Sequence, residues 1–355
     1  MMRWKPFKKF GWKEASSLNM RHILFLAHDP GGCDVTRPVF NRLKEQDKPA
    51  NYFCVGPAAV LLQEYAITEI DLFQYLSQQL ELGNIAVLVT GTSWGTDAEL
   101  RAIRLCQSYN VSTISILDYW SNYSMRLMDQ SNDRITPDFY IVMDELAKQE
   151  AIKDGVSDSI IRVLGHPGLD VYIHNDHEQK NEIYGVVNAN ILFLSQPLSL
   201  LYNDALGYTE YSVLESLINA ANEADMKIHV KFHPKDDLSF KEKYQLLAVE
   251  GDLLHLVPKY ELIIGMSSMA LLHAVLMGKT TVSYQPNLRK ADMSITNKLG
   301  LSAQIHEYVE LVHYLSNFSL ISRKKRPNGT HIWLDGKSTE RVALFIEDVF
   351  HNGKN

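Results

Sequence analysis

From Arg21 onward the chain alternates short, almost wholly apolar runs with longer stretches whose apolar positions recur every three to four residues. Short apolar runs bounded by turn formers predict strands buried on both faces, and the helical period predicts amphipathic helices. "HILFLA" (22–27), "NYFCVG" (51–56), "IAVLVTG" (85–91), "STISILD" (112–118) and "DFYIVMD" (138–144) are of the first kind, with a shorter run in "IIRVLGHPGLDVY". "VFNRLKEQ", residues 58–65, "DAELRAIRLCQSY" and "ELAKQEAIKDG" are of the second kind. Between 170 and 188 the pattern lapses into polar residues. It restarts with "ILFLSQP" (191–197), a helix over 209–224, "KIHVKFHP", a helix over 239–248, "LLHLVP", "ELIIGMSS", the helix "MALLHAVLMG" and the strand "TTVSYQP". A last amphipathic segment, "ERVALFIEDVF" (340–350), predicts a helix able to return to the first half.

Strands buried on both faces and alternating with helices predict an α/β protein with parallel sheets. A chain of 355 residues exceeds one comfortable core, so two domains are expected. The reading is a leader over 1–20, a Rossmann-like acceptor-side domain over 21–175, a Rossmann-like nucleotide-donor domain over 186–338 and a closing helix over 339–355. Two such α/β/α domains facing one another predict a central cleft, with ligand residues just beyond the carboxyl ends of strands.

Composition narrows the function. Hydrophobic residues at 46% and charged residues at 22% describe an ordinary globular chain. A net charge of −7 and a pI near 6.0 argue against a nucleic-acid binder, which needs clustered Lys and Arg. Three cysteines (Cys33, Cys54, Cys106) with no CxxC pair fit a reducing, cytoplasmic compartment and exclude a thiolate zinc site. No apolar run approaches the roughly 20 residues needed to span a bilayer. The first 20 residues set Arg3, Lys5, Lys8, Lys9 and Lys13 among Trp4, Phe7, Phe10 and Trp12. They lack the apolar stretch of a secretory signal. They read as a leader upstream of Met20, with peripheral attachment to the inner face of a membrane as the alternative.

The candidate chemistry lies at strand ends. After the first strand, "HDPGG" offers His28 or Asp29 as a general base, and Gly31 and Gly32 for close backbone approach to a ligand. A plain turn is the competing explanation. GxGxxG is absent, so NAD and FAD are not expected. "TGTSWGT" (90–96) is a second small-residue loop, and "LDYWSNYSMR" (117–126) places Asp118, Tyr119, Trp120 and Arg126 past another strand. That mix lines an acceptor pocket or covers the core through Trp120. In the second half His233-Pro234 ends one strand, and Gly265 leads another into Ser267 and Ser268 at a helix start. Hydroxyls and free N–H groups at a helix N-terminus bind phosphate, and a histidine can join them. Taken separately these are a turn and an N-cap; taken together they predict a phosphate clamp. No metal is expected: HExxH is absent, and Asp236-Asp237 reads as the solvated start of the next helix.

These motifs resemble nucleotide-sugar glycosyltransferases of the GT-B architecture. "PDFYIVMDELAKQEAIKDGVSDSIIRVLGHPGLDVY" resembles the end of a GT-B N-terminal domain. "ILFLSQPLSLL" with "KFHPKDD" resembles bacterial sialyl- and polysialyltransferases, and "LIIGMSSMALLHAVLMGKTTVSY" resembles the serine motif shared with capsule and teichoic-acid polymerases. The resemblance implies that His233, Pro234, Ser267 and Ser268 hold the donor's phosphate. Those families carry an acidic-acidic-glycine base motif where this chain has "YNDALGYTEYSVLES", so the base is open among Asp204, Glu210 and Asp29. The expected activity is metal-independent, cofactor-free inverting transfer from a CMP-, UDP- or CDP-linked sugar to a glycan or lipid-linked acceptor of a bacterial surface. The rivals are a non-hydrolysing nucleotide-sugar 2-epimerase, which shares the "GHPGLD"-like junction, a CDP-glycerol-type glycerophosphotransferase, and a non-catalytic binding protein on the same frame.

Overall fold

The computed structural model describes residues 21–93, 96–174, 191–318 and 335–353; the basic-aromatic leader and most of the polar junction lie outside the described residues. The first sheet comprises β1 (His22–Ala27), β2 (Ala50–Cys54), β3 (Ile85–Thr90), β4 (Ser112–Ile116), β5 (Phe139–Val142) and β6 (Ile161–Val163). All pairings are parallel and the strand order is β2-β1-β3-β4-β5-β6. The second comprises β7 (Ile191–Leu194), β8 (Ile228–Lys231), β9 (Leu262–Gly265), β10 (Thr280–Tyr284) and β11 (Ala303–Ile305), again parallel, ordered β11-β10-β9-β7-β8. Two parallel-sheet α/β domains are thus present, as the alternation of patterns requires.

Every residue of β1 and β3 is buried, which is why neither strand alternates polar with apolar. On one face, helix Pro30–Glu45 covers the sheet with Val39 and Leu43, beside Val342 and Ile346 of helix Ser338–Asn352. On the other, Leu72 and Leu76 of helix Glu69–Glu81 pack with Ile103 of helix Ala98–Ser108. Each such side chain contributes about 1.5–3 kcal/mol on full burial. The closing helix therefore belongs to the first core although it follows the second domain in sequence. Its start is pinned by Asp170, whose carboxylate accepts the N–H groups of Ser338 (3.1 Å) and Thr339 (2.7 Å).

A third apolar cluster joins the domains: Leu117, Trp120 and Tyr140 of the first pack with Leu272, Leu276 and Ile295 of the second. Lys298 reaches Glu150 across this seam at 3.2 Å.

Some elements depart from the pattern reading. "HDPGG" is no loop, because the helix begins at Pro30 and Gly31 and Gly32 form its first turn. "LLHLVP" is a short helix, Leu253–Leu256, whose start is set by Asp252 accepting the Leu254 N–H at 2.8 Å. The pattern reading also passes over helix Glu69–Glu81, although Leu72, Leu76 and Leu80 recur every four residues. Among the described residues, no helix is long and apolar enough to cross a membrane.

Candidate functional site

In each sheet the chain order reverses once, between β1 and β3 and between β7 and β9. Helices leave such a point towards opposite faces, and the crevice between them is where open α/β sheets bind ligands. In the first domain the crevice is tight. A Cβ on Gly91 would lie 2.7 Å from the Gly32 Cα, so the close backbone approach requires glycine at 91.

His28 and Asp29 follow β1 directly. The His28 Nδ1 lies 2.7 Å from Asp29 Oδ1, and this hydrogen bond raises the imidazole above its ordinary value. The His28 N–H donates to Glu99 Oε1 (3.2 Å), whose other oxygen accepts the Ser93 N–H (2.7 Å). Burial pushes the Glu99 carboxyl up. The Nε2 side of His28 is walled by Gly56, at φ +55°, where a Cβ would come within 2.3 Å of the ring.

A cavity of about 680 Å³ opens between the domains, with Gly31, Asp34, Asp118 and His166 on one side and Met269 and His273 on the other. Asp118 is held rigidly. The Arg126 Nη1 donates to its Oδ1 at 2.6 Å, and Thr92 adds a longer bond at 3.3 Å. Its Oδ2 sits over Gly31, where a Cβ would come within 1.9 Å. Asp34, on the next turn of the same helix, opens to the water of the cleft while the walls and the Asp118 charge surround it. Desolvation first, and Asp118 second, push its carboxyl up to about 6. Two carboxyl groups thus face one cavity: Asp118, ion-paired to Arg126, and Asp34, pushed up to about 6.

The imidazole of His166 stacks parallel to Trp120, with centroids 6.1 Å apart, and its Nε2 donates to the Asp118 carbonyl at 3.1 Å. Burial lowers its proton affinity, so the ring is neutral with Nε2 protonated. Across the cleft His273 stacks on Tyr172 at 3.9 Å, and burial lowers its pKa to about 4.

In the second domain the strand ends of β7, β8 and β9 converge. Gln196, after β7, accepts the Ser267 N–H through Oε1 at 2.8 Å. Ser268 precedes helix Met269–Leu276 but makes no side-chain cap, and its hydroxyl is buried without a partner. After β8, His233 accepts the Lys235 N–H on Nδ1 at 3.1 Å. Burial lowers the proton affinity of the ring, so it is neutral with Nε2–H as the available donor. Asp236 is buried rather than solvated: its Oδ2 accepts the His233 N–H at 2.8 Å and fixes the turn that carries the histidine. Pro234 is exposed between them, its carbonyl accepting from Lys241 Nζ at 2.9 Å.

Among the described residues, the buried Nδ1 atoms of His166 and His273 and the Ser268 hydroxyl lack a hydrogen-bond partner. All three lie on segments that leave the carboxyl end of a strand. Buried polar atoms are ordinarily paired, so these three are candidate ligand contacts.

The structure brings His28, Asp29, Gly31 and Gly32 to one switch point and Gly265, Ser267 and Ser268 to the other, while His233 and Pro234 lie at the end of the neighbouring edge strand β8. It takes Glu210 and Asp204 elsewhere. Glu210 is buried and accepts both the N–H (2.8 Å) and the hydroxyl of Ser199, securing helix Leu198–Tyr202. Asp204 lies exposed beside Arg289 at 3.5 Å. Asp34 and His166 do not stand out from the sequence as site residues. The signal for Asp34 is a carboxylate interrupting an otherwise apolar helix start, "GGCDV".

No protein-family model and no curated protein matches the sequence. Solved structures do match the fold. The UDP-GlcNAc 2-epimerase from Methanocaldococcus jannaschii aligns at a TM-score of 0.66 and 14% identity, over 92% of this chain and 99% of that one. The two-domain fold is that of UDP-GlcNAc 2-epimerases. The Neisseria meningitidis UDP-GlcNAc 2-epimerase bound to UDP-GlcNAc aligns at 0.63 and 11% identity, over 93% of this chain and 100% of that one. HepE from Anabaena, in complex with UDP and glucose, aligns at 0.54 and 14% identity, over 94% and 100%. The GT-B-like architecture expected from the motifs is therefore present, while no sequence match supports a sialyl- or polysialyltransferase.

Proposed function

We propose that the chain is a nucleotide-sugar enzyme that binds a UDP-linked sugar across the cleft and inverts the ring carbon next to the anomeric centre. The observation that carries the proposal is the pair Asp34 and Asp118, one carboxyl near neutrality and one ion-paired, facing the same cavity. Epimerase structures with this fold, one of them holding UDP-GlcNAc, support the choice of substrate class.

In this reading the Nε2–H of His233 and the Ser267-Ser268 helix start hold the diphosphate. They supply donors where negative charge grows as the leaving group departs. Asp34, as carboxylate, takes the proton from C2. The C2–H electron pair becomes the C1=C2 double bond, and the C1–O pair leaves with the nucleoside diphosphate. Re-addition of the diphosphate to C1, with a proton delivered to C2 from the opposite face, gives the epimer. His28, bonded to Asp29 through Nδ1 and facing Gly56 through Nε2, does not line the cavity, so in this reading the returning proton comes from water in the cleft. Glu210 and Asp204 have no part in it.

The test is incubation with UDP-GlcNAc alone in D₂O, followed by NMR. The epimer carrying deuterium at C2 is expected, and Asp34→Asn should abolish exchange while retaining UDP binding. Absence of exchange with every UDP-sugar offered would overturn the proposal. Transfer to an acceptor is the second reading. It is favoured by the outer wall of the cavity, where Tyr119, Arg37 and Asn41 leave room beyond the carboxylates. Under that reading UDP is released only when an acceptor glycan is added, with no exchange at C2.

A further inference from the structure

The largest cavity described is not the interdomain cleft. A groove of about 840 Å³ runs along the outer edge of the first sheet, where β2 is the terminal strand. One wall is a single face of helix Glu69–Glu81: Asp71, Gln74, Tyr75, Gln78 and Gln79 follow the i, i+3/i+4, i+7/i+8 spacing. The apolar face of that helix, Leu72, Leu76 and Leu80, is already committed to the core. The polar face is therefore not a second packing surface; Asp71, Gln74 and Gln78 are exposed on it and line the groove beside the sheet edge.

The opposite wall and floor are aromatic. Tyr52 and Tyr65 meet at 5.1 Å, and Phe53 meets Tyr75 at 5.0 Å, both nearly edge to face. Tyr75 is fixed further by its hydroxyl, which accepts from Asn51 Nδ2 at 3.2 Å and lies 3.2 Å from His22 Nε2. The rings are thus positioned before any ligand arrives.

The charge of the lining excludes one class of ligand. No lysine or arginine is among the lining residues; Glu64 is paired with Arg37 at 3.9 Å, so Asp71 is the carboxylate that a phosphate or an acidic sugar would meet. Fixed aromatic faces beside side-chain amides and carboxylates suit a molecule with apolar C–H faces and a rim of hydroxyls. Hydroxyls can donate to carboxylate and amide oxygens and accept from amide N–H groups.

We propose that this groove is a binding site for a neutral oligosaccharide, separate from the interdomain cleft and independent of the reaction assigned there. The amides of Gln74 and Gln78 select hydroxyls, Tyr65 supplies the ring face, and Asp71 disfavours anionic chains.

The test is saturation-transfer NMR and calorimetry on the full chain with neutral trisaccharides (maltotriose, cellotriose, chitotriose), and with sialyllactose as the anionic probe. At least one neutral trisaccharide should bind, unaffected by saturating UDP, and sialyllactose should not. Gln74→Ala and Gln78→Ala, on the exposed helix face, should each weaken binding about three- to tenfold with an unchanged far-UV spectrum. Gln78→Lys should abolish it. Tyr65→Ala tests the ring face but also touches the core, so the glutamine variants decide. Failure of all three neutral probes, competition by UDP, preference for sialyllactose, or binding undisturbed in the glutamine variants would each overturn the proposal.

Discussion

Replacing Asp34 by asparagine separates the cost of holding a carboxyl in the cleft from its use. The cleft raises this group from 3.8 to about 6, chiefly by desolvation and secondarily through Asp118. For an acid whose folded pKa exceeds the unfolded one, the native state binds the proton more tightly. Its contribution to stability is therefore full below about pH 4 and is lost as pH rises from about 4 to about 6. At about 1.36 kcal/mol per unit the shift sets a ceiling near 3 kcal/mol. Because the side chain opens to water in the cleft, screening reduces the expected cost to about 1 kcal/mol. The asparagine side chain cannot ionise and escapes this cost. Thermal melts at pH 4 and pH 8 should show Asp34→Asn more stable by about 1 kcal/mol at pH 8, or about 2–4 °C, with the difference gone at pH 4. Turnover should fall by about 10²–10⁴, and in the unaltered protein should rise with pH through about 6. A variant that is less stable at pH 8, or a difference that does not change with pH, would refute the reasoning about Asp34.

Three other outcomes are expected. Glu210→Gln should lower stability by about 1–3 kcal/mol, because its NH₂ group would confront the two donors of Ser199, while turnover per folded molecule stays unchanged in a steady-state assay. His233→Ala and Ser268→Ala should each weaken UDP binding about tenfold by calorimetry, equivalent to about 1.4 kcal/mol, with little change in melting temperature. Gly91→Ala drives a Cβ to 2.7 Å from the Gly32 Cα and should destabilise the first domain by about 1–3 kcal/mol or more in denaturant titration. Gly32→Ala meets its nearest atom at 3.5 Å and should be milder.

The strands were legible because the two-sided burial of a parallel sheet writes itself as an unbroken apolar run: β1, β3, β7 and β9 are buried at every position. The rise of function at strand ends was legible for the same reason, since helix-flanked parallel strands leave only their carboxyl ends for ligands. His233, Ser267 and Ser268 stood out as polar residues set against those runs. Local pattern misjudged the boundaries where one polar contact decides: Asp252 turned an apolar run into a helix, and Asp236 was expected in solvent but lies buried beneath His233. Glu210 and Ser199 form a structural pair that no spacing announces.

By itself, then, the chain determined two parallel α/β domains and their order, because burial and backbone hydrogen bonding act over a few residues at a time. Only the tertiary structure decided which carboxylates matter. Asp34 draws its raised proton affinity from desolvation between the walls and from Asp118, a residue two strands away across the sheet. It likewise decided that the last helix completes the first core, through Asp170 and the buried face of Val342 and Ile346. Proton affinity and cavity shape depend on distances between residues far apart in sequence, and those distances exist only once the sheets are stacked and the domains face one another.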